Sequence, residues 1–138
     1  MCTVTQGPGL TQLGTALTVA VRSKVPIVVF AGDTAPSDHD SVQQLDQQKF
    51  VDATGAGFVP LWSAAGVDDA VRQAFYQARV ESRPVALNAP MDVQQQTYDG
   101  EGDEYAPSTT LLPRTQRVRP DPDRLREAAR IIAIVACR

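Results

Sequence analysis

The sequence predicts an α/β fold in which a mostly parallel sheet is flanked by helices. Residues 25–30 (VPIVVF) and 84–90 (PVALNAP) form continuous, largely apolar runs. Such runs are typical of strands that are covered on both faces, as the strands of parallel sheets are. Between these runs the apolar residues recur at helical spacing, and strands that alternate with helices favour a parallel sheet.

The predicted elements of the first half follow one another closely: a strand at 2–6, a turn at 7–9, a helix over 9–22, a strand at 25–30 and a helix over 41–54. The first helix is predicted from the spacing of Leu10, Leu13 and Leu17. Asp40 or Ser41 is expected to cap the second helix, because short polar side chains accept hydrogen bonds from the free N–H groups at a helix start.

The predicted elements of the second half are a strand at 57–62, a helix that includes residues 67–79, a strand at 84–90 and a last helix that starts at residues 121–123 (DPD). Pro60 places the first of these strands at a sheet edge, because proline donates no hydrogen bond to a neighbouring strand. Asp68 and Asp69 favour a helix start, where the helix dipole stabilises negative charge. Trp62 and Phe75 are expected in the core.

The composition divides the chain into three parts. Residues 1–93 hold the α/β pattern, residues 94–121 form a polar linker too long for an ordinary loop, and residues 122–138 begin a further domain with a helix. Residues 134–138 (IVACR) have a strand-like pattern. Each end therefore resembles a cut inside a longer pattern, and the sheet is expected to be incomplete, with exposed edges.

Charge and composition exclude several functional classes. The formal net charge of −3 provides no basic surface, so we expect no nucleic-acid partner. No apolar run approaches the roughly 18 residues that span a bilayer, and no secretory signal is present, so we expect a cytoplasmic protein without a membrane partner. Cys2 and Cys137 are expected to be free thiols, and His39 is the single histidine, so no histidine–cysteine metal site is predicted.

Five stretches carry recognisable motifs in a fixed order: residues 3–12 (TVTQGPGLTQ), 25–32 (VPIVVFAG), 42–47 (VQQLDQ), 70–85 (AVRQAFYQA followed by RPV) and 89–93 (APMDV). In this order they resemble the acetolactate synthase-like family of thiamine diphosphate-dependent enzymes. The resemblance extends over nearly all of residues 2–135. It implies that residues 1–93 correspond to the C-terminal half of a pyrimidine-binding domain.

The resemblance also implies which residues contact the cofactor. Pro8 and Gly9 would lie against the pyrimidine ring of thiamine diphosphate. Gln12 stands where the family often has Asn, and Gln43 matches the family's active-site Gln. The chain departs from the family at Val42, where Phe is usual, and at Gln44, where Glu is common.

Other parts of the family's active site have no counterpart in the printed sequence. The resemblance places the glutamate that activates the cofactor on a strand that would precede Met1. The 138 residues contain no Gly-Asp-Gly followed by Asn-Asn, the family's motif for Mg²⁺ and the diphosphate. We therefore expect a fragment of a 2-keto acid decarboxylating lyase or transferase that is not catalytic alone.

Two alternatives remain open. The chain could be a non-catalytic module that forms a homo-oligomer, either through pairing of pyrimidine-binding domains or through an exposed sheet edge. It could also be a small hydrolase that uses His39 or Asp33 on the same scaffold. The simpler interpretation of residues 7–9 is a structural turn, and that of the glutamine-rich stretch 43–48 is a solvated helix face.

Overall fold

A computed structural model of the chain describes residues 1–38, 40–98, 105–111 and 120–136. The strands are β1 (Cys2–Val4), β2 (Val28–Asp33), β3 (Gly57–Pro60) and β4 (Val85–Pro90). The helices are α1 (Pro8–Thr11), α2 (Gly14–Arg22), α3 (Gln47–Thr54), α4 (Val67–Glu81), α5 (Met91–Gln94), α6 (Ser108–Leu111) and α7 (Pro122–Ala136). A single 3-10 turn, Ala64–Gly66, precedes α4.

All four strands pair in parallel, in the order β1-β2-β4-β3. The predicted parallel α/β fold is therefore confirmed. The central strand β4 pairs with β2 and β3 at once, so that Ala86 lies opposite both Val29 and Phe58. This agrees with the interior character of residues 84–90, and β3 lies at an edge as Pro60 predicted.

The sheet is covered by helices on both faces, because successive apolar side chains of its strands point to opposite faces. One face packs against α1, α2 and α3, through a core of Leu10, Leu17, Val29, Ala31, Val51, Ala56 and Ala86. The other face packs against α4 and α5, through a core of Val28, Val59, Leu61, Ala70, Ala74, Ala78, Val85, Leu87, Ala89 and Val93. Connections from β1 and β2 therefore run over one face, and the connection from β3 runs over the other.

The predicted helix over 9–22 is two helices, α1 and α2, with a break at Gln12 and Leu13. The Leu13 N–H donates to the Leu10 carbonyl at 3.0 Å, as in a tighter 3-10 turn. Gly14 opens α2, and a Cβ at that position would lie 3.2 Å from the Phe50 ring. The helix breaks here because glycine is a weak helix former, and α3 packs against the gap that its missing side chain leaves.

The helix predicted over 41–54 begins later, at Gln47. Its N-cap is Asp46, whose carboxylate accepts from the Lys49 N–H at 3.0 Å. Neither Asp40 nor Ser41 caps it, because the Ser41 carbonyl accepts from the Gln44 N–H in a turn that precedes the helix. The prediction that residues 43–48 form one solvated helix face is therefore wrong for its first residues and, as shown below, for Gln47.

Three smaller predictions also differ from the structure. β2 starts at Val28 rather than Val25, because residues 25 and 26 are exposed and Pro26 has no N–H to donate. Trp62, expected in the core, is 83% exposed. Helix α7 continues to Ala136, so the strand-like pattern at 134–136 forms helix instead; residues 137 and 138 lie outside the described part.

The predicted linker, residues 94–121, contains a short segment that packs on the α/β unit. Ser108, the first residue of α6, is 2% exposed and accepts a hydrogen bond from Arg79 of α4 at 2.6 Å. Arg72 of the same helix donates to the Ala106 carbonyl at 2.8 Å. None of the helices in the described ranges has both the length and the hydropathy needed to cross a membrane.

Candidate functional site

Loops that carry polar residues meet at one edge of the sheet. Because all strands are parallel, their carboxyl ends lie together, and we call this side of the molecule the carboxyl edge. Ligands of open α/β sheets bind at this edge, where neighbouring strands send their connections to opposite faces. Here those strands are β2, which continues towards α3, and β4, which continues into α5.

The turn after β1 has a conformation that requires glycine. Gly7 has φ 53° and ψ −107°, the first central position of a type II′ turn, and the Gly9 N–H donates to the Gln6 carbonyl at 3.2 Å. Pro8 follows as the first residue of α1, where its missing N–H has no cost. The sequence Gly-Pro-Gly therefore forms the predicted tight turn into a helix.

The backbone of residue 43 lies directly against this turn. A Cβ on Gly7 would stand 2.0 Å from the carbonyl oxygen of Gln43, so only glycine permits the contact. Two segments that are 36 positions apart in the sequence are thereby held together. A small cleft of about 160 Å³ results, lined by Gly7, Pro8, Thr11, Val42, Gln43, Gln44 and Leu45; we call it the turn cleft.

Two of the four predicted cofactor-contacting residues line the turn cleft, and two do not. Pro8 and Gln43 both line it. Gly9 packs instead against Thr5, the residue that follows β1, because a Cβ on Gly9 would lie 2.5 Å from Thr5 Cγ2. Gln12 is exposed at the end of α1 and does not line the cleft. Val42, which stands where the family has Phe, is 98% exposed at the cleft mouth.

A chain of buried amide groups runs beneath this region. The Gly7 N–H donates to Gln47 Oε1 at 2.7 Å, and Gln47 Nε2 donates both to the Gly32 carbonyl at 2.8 Å and to Asn88 Oδ1 at 2.5 Å. Asn88 Nδ2 donates in turn to Asp33 Oδ2 at 2.8 Å. We call Gln47, Asn88 and Asp33 the amide network; Gln47 is 2% exposed and Asn88 5%.

The direction of every bond in the amide network is fixed by its two ends. A backbone N–H can only donate, so Gln47 turns its oxygen towards Gly7, and its NH₂ then faces Asn88. Asn88 must accept with its oxygen and therefore points its own NH₂ at Asp33. The second carboxylate oxygen of Asp33 accepts from the Thr34 N–H at 2.8 Å. Asp33 is thus held by donors on both oxygens.

A larger cleft opens above the amide network. It has a volume of about 370 Å³ and lies at the carboxyl ends of β2, β3 and β4. Its walls include Asp33, Gln47 and Asn88, and the exposed side chain of Trp62 also lines it. Gln44 and Leu45 line both this cleft and the turn cleft, so residues 44–45 separate the two.

The charged pair at the start of α3 is the site's exposed electrostatic feature. Lys49 Nζ lies 2.8 Å from Asp46 Oδ2. The hydrogen bond from the Lys49 side chain lowers the pKa of Asp46 below its usual value, and the hydrogen bond from the Lys49 backbone N–H lowers it further. The same side-chain hydrogen bond raises the pKa of Lys49. Both groups stay charged over a wider pH range, and the pair strengthens the N-terminus of α3.

Within the described ranges, no three or more His, Cys, Asp or Glu side chains are grouped so that they could hold a metal ion. His39, the candidate residue of the hydrolase alternative, lies outside those ranges. Its other candidate, Asp33, is engaged by Asn88 and Thr34 through both oxygens.

Comparison with known proteins gives the site its context. Over 100 residues the chain is 32% identical to "Acetolactate synthase 2, chloroplastic" of Nicotiana tabacum. Its sequence is similar to acetolactate synthases. Against "Acetolactate synthase 1, chloroplastic" of the same plant the identity is 31% over 100 residues. These residues make up 70% of this chain and 15% of each relative, so the chain spans less than a sixth of their length. No protein-family model matches the chain.

Gln47 and Asn88 are the site residues that the sequence analysis missed. Asn88 could have been noticed, because it is the single strongly polar residue in the apolar run 84–90 and such residues need partners when buried. Gln47 closes the motif stretch 42–47, but no pattern in the sequence predicted that it, rather than glutamine 43, 44 or 48, would be the buried one. Its burial follows from the late start of α3, which turns Gln47, and not Gln48, towards the sheet.

Proposed function

We propose that the chain is a segment of a thiamine diphosphate-dependent enzyme of the acetolactate synthase-like family, and that its turn cleft receives the aminopyrimidine ring of the cofactor. The similarity to the two tobacco enzymes supports this family. The observation that carries the cofactor proposal is the contact of Gly7 with the Gln43 carbonyl. It brings two motifs predicted separately, Gly-Pro-Gly and the glutamine of residues 42–47, into one cleft.

The groups around the turn cleft suit an aminopyrimidine. A Gln43 carboxamide offers both a donor and an acceptor, which complements an amino group beside a ring nitrogen. Pro8 and Leu45 supply apolar surface for the ring faces. When bound, the cofactor supplies the carbanion-stabilising centre of 2-keto acid decarboxylation. The role of these residues is to hold and orient the ring.

The proposal extends to the organisation of the intact protein. Residues 1–93 would form the back half of the pyrimidine-binding domain, residues 94–121 its linker, and residues 122–138 the first helix of the next domain. The activating glutamate and the Mg²⁺–diphosphate motif would belong to parts of the intact enzyme other than these 138 residues. The chain alone is then expected to hold one end of the cofactor weakly and to turn over no 2-keto acid.

An NMR titration of the ¹⁵N-labelled chain tests the cofactor proposal. Thiamine alone should shift the amide signals of Gly7, Gly9 and Gln43 as much as thiamine diphosphate with Mg²⁺ does. The dissociation constant should be on the order of 1 mM, because the chain holds one side of the ring. Pyrophosphate with Mg²⁺ should shift none of them. The Gln43→Ala variant should lose the response, and Gln48→Ala, altered at an exposed neighbour outside the turn cleft, should keep it.

Two results would count against the proposal. Shifts confined to other residues, or reproduced by pyrophosphate alone, would show that the aminopyrimidine does not bind in the turn cleft. Micromolar binding in a calorimetric titration, together with pyruvate turnover by the 138 residues, would show that the chain is not a dependent segment.

A further inference from the structure

Gln47 connects three parts of the carboxyl edge through one side chain. Its amide reaches the turn after β1 at Gly7, the end of β2 at Gly32 and the middle of β4 at Asn88, with distances of 2.7, 2.8 and 2.5 Å. It is buried, and with Leu10 it is among the largest side chains that are almost fully enclosed. A buried glutamine in an apolar interior is costly unless each of its polar atoms is paired, as they are here.

The turn depends on this side chain for the pairing of one N–H group. Gly7 is buried, and its N–H has Gln47 Oε1 as its partner in the structure. The direction of that N–H is set by the rotation of the peptide that joins Gln6 to Gly7, which also sets the unusual φ of 53°. A fixed acceptor at 2.7 Å therefore stabilises this one rotation of the turn.

The acceptor is itself held from behind. The NH₂ of Gln47 is occupied by the Gly32 carbonyl and by Asn88, and Asn88 is oriented by the carboxylate of Asp33. Chains of hydrogen bonds strengthen one another in a low-dielectric interior. Gln47 cannot rotate without breaking bonds to two strands, so its oxygen is a rigid reference point for the turn.

We propose that Gln47 is a positioning residue, which sets the conformation of the Gly7-Pro8-Gly9 turn and thereby the wall of the turn cleft. The inference rests on the proposed function insofar as that cleft takes an aminopyrimidine. Gln47 itself lines the larger cleft and not the turn cleft, so it acts on the ligand through Gly7. It differs in this from Gln43, which lines the turn cleft directly.

Two substitutions separate the two halves of the Gln47 amide. Gln47→Met keeps the length of the side chain and removes both the acceptor and the donor. Gln47→Glu keeps an oxygen for the Gly7 N–H and removes the donor to Asn88 and Gly32. Gln48→Met, at the exposed neighbouring position of the same helix, is the matched control.

The readout is the Gly7 amide itself, observed by NMR with and without thiamine. In Gln47→Met we expect its hydrogen exchange to accelerate about tenfold, its proton signal to move upfield, and the thiamine-induced shifts of Gly9 and Gln43 to fall several-fold. Gln47→Glu should restore the exchange protection of Gly7 while the side-chain amide signals of Asn88 move. Gln48→Met should resemble the unmodified chain throughout.

The inference is overturned if Gln47→Met is folded and leaves the Gly7 amide and the thiamine-induced shifts unchanged. If Gln47→Met does not fold, Gln47→Glu decides: a Gly7 amide that keeps its protection supports the inference, and one that loses it overturns the inference. Failure of the proposed function can be distinguished from failure of this inference. In that case thiamine would shift no signal of the turn in the unmodified chain, while the exchange and chemical shift of the Gly7 amide would still change in Gln47→Met.

Discussion

Gly7 shows how a single residue without a side chain can hold a site together. Its positive φ and its contact with the Gln43 carbonyl both exclude a Cβ. A tight turn could be predicted from Gly-Pro-Gly, because that tripeptide has few other conformations. The packing of residue 43 against the turn could not be predicted, because no local pattern encodes a contact across 36 positions.

Substitution of this glycine should be costly. We expect Gly7→Ala to lower the free energy of unfolding by at least about 2 kcal/mol, because an L-residue is strained at this φ and its methyl group would displace the backbone of residue 43. Urea denaturation measures the change. Gly66→Ala is the control, since the φ of Gly66 is −92° and the nearest atom to a new Cβ is 3.7 Å away. Equal effects of the two substitutions would contradict the argument.

The stability contributed by the pair Asp46 and Lys49 depends on pH. Because the folded pKa of Asp46 is lowered, its stabilising effect is complete above the unfolded value of about 3.9 and disappears as the pH falls through the folded pKa. The raised pKa of Lys49 extends its own contribution to pH values above the unfolded value of about 10.4.

Asp46→Asn isolates this electrostatic contribution, because asparagine also caps a helix. The unmodified chain should be more stable than the variant at pH 7, and the difference should shrink to zero on acidification to about pH 2. Salt at about 1 M should remove it at pH 7, since both side chains are exposed. Denaturation curves at several pH values measure the difference, and a constant difference over the whole range would disprove the assignment.

At the scale of elements, the prediction worked best where burial decides the pattern. The strand at 84–90 and the helix α4 lie where their apolar residues predicted them, and the strand predicted at 57–62 is present as Gly57–Pro60. Their apolar residues are buried between the sheet and the helices, so burial decides the pattern. The prediction worked least well at residues 41–46, where glutamines that favour helix form a turn instead. Here the contact of Gln43 with Gly7 prevails over local preference, and the helix starts at Gln47.

The short helix α6 illustrates an element that depends on its neighbour. Four residues cannot form a stable helix alone, and α6 is held on α4 by Arg79, whose guanidinium also lies 5.7 Å from the centre of the Phe75 ring. We expect Arg79→Gln to accelerate hydrogen exchange of residues 108–111 about tenfold while β4 stays protected. Mass-spectrometric hydrogen exchange measures both segments.

The control for α6 is Arg22→Gln, which alters an exposed arginine in the last turn of α2. It should leave the exchange of residues 108–111 unchanged. If Arg79→Gln also leaves it unchanged, the contacts of Arg79 do not stabilise the packed segment.

At the scale of the whole molecule, the two edge strands of the sheet differ in exposure: β1 is mostly exposed, whereas the residues of β3 are buried or half-buried. In β1, Cys2 and Thr3 are exposed, and no strand pairs with its outer side within the described ranges. Unpaired strand edges recruit further strands. The expected homo-oligomer remains a proposal, and β1 is the surface we assign to it.

Light scattering over a range of concentrations tests this assignment. We expect the chain to form dimers that weaken at least about tenfold in Thr3→Lys, because a lysine on an edge strand opposes pairing. Ile132→Lys, on the exposed helix α7, is the matched control and should have no effect. A strict monomer at high concentration would exclude the oligomer, and dissociation by Ile132→Lys alone would move the contact to α7.

The general position of the site follows from the predicted fold, since all carboxyl ends of a parallel sheet meet at one edge. Pro8 and Gln43 were found through the family resemblance, and both line the turn cleft. The exclusion of Gly9 and Gln12 from that cleft could not be predicted, because it depends on the break between α1 and α2 and on the packing of Gly9 against Thr5.

The parallel arrangement also places both clefts away from the amino ends of the strands. The loop before β2, residues 23–26, is exposed throughout and lies at those amino ends. A fluorescent label or an affinity tag placed there would lie at the ends of the strands opposite to both clefts. Labels and tags can therefore be attached at the amino ends of the strands, while the clefts at the carboxyl edge are left unchanged.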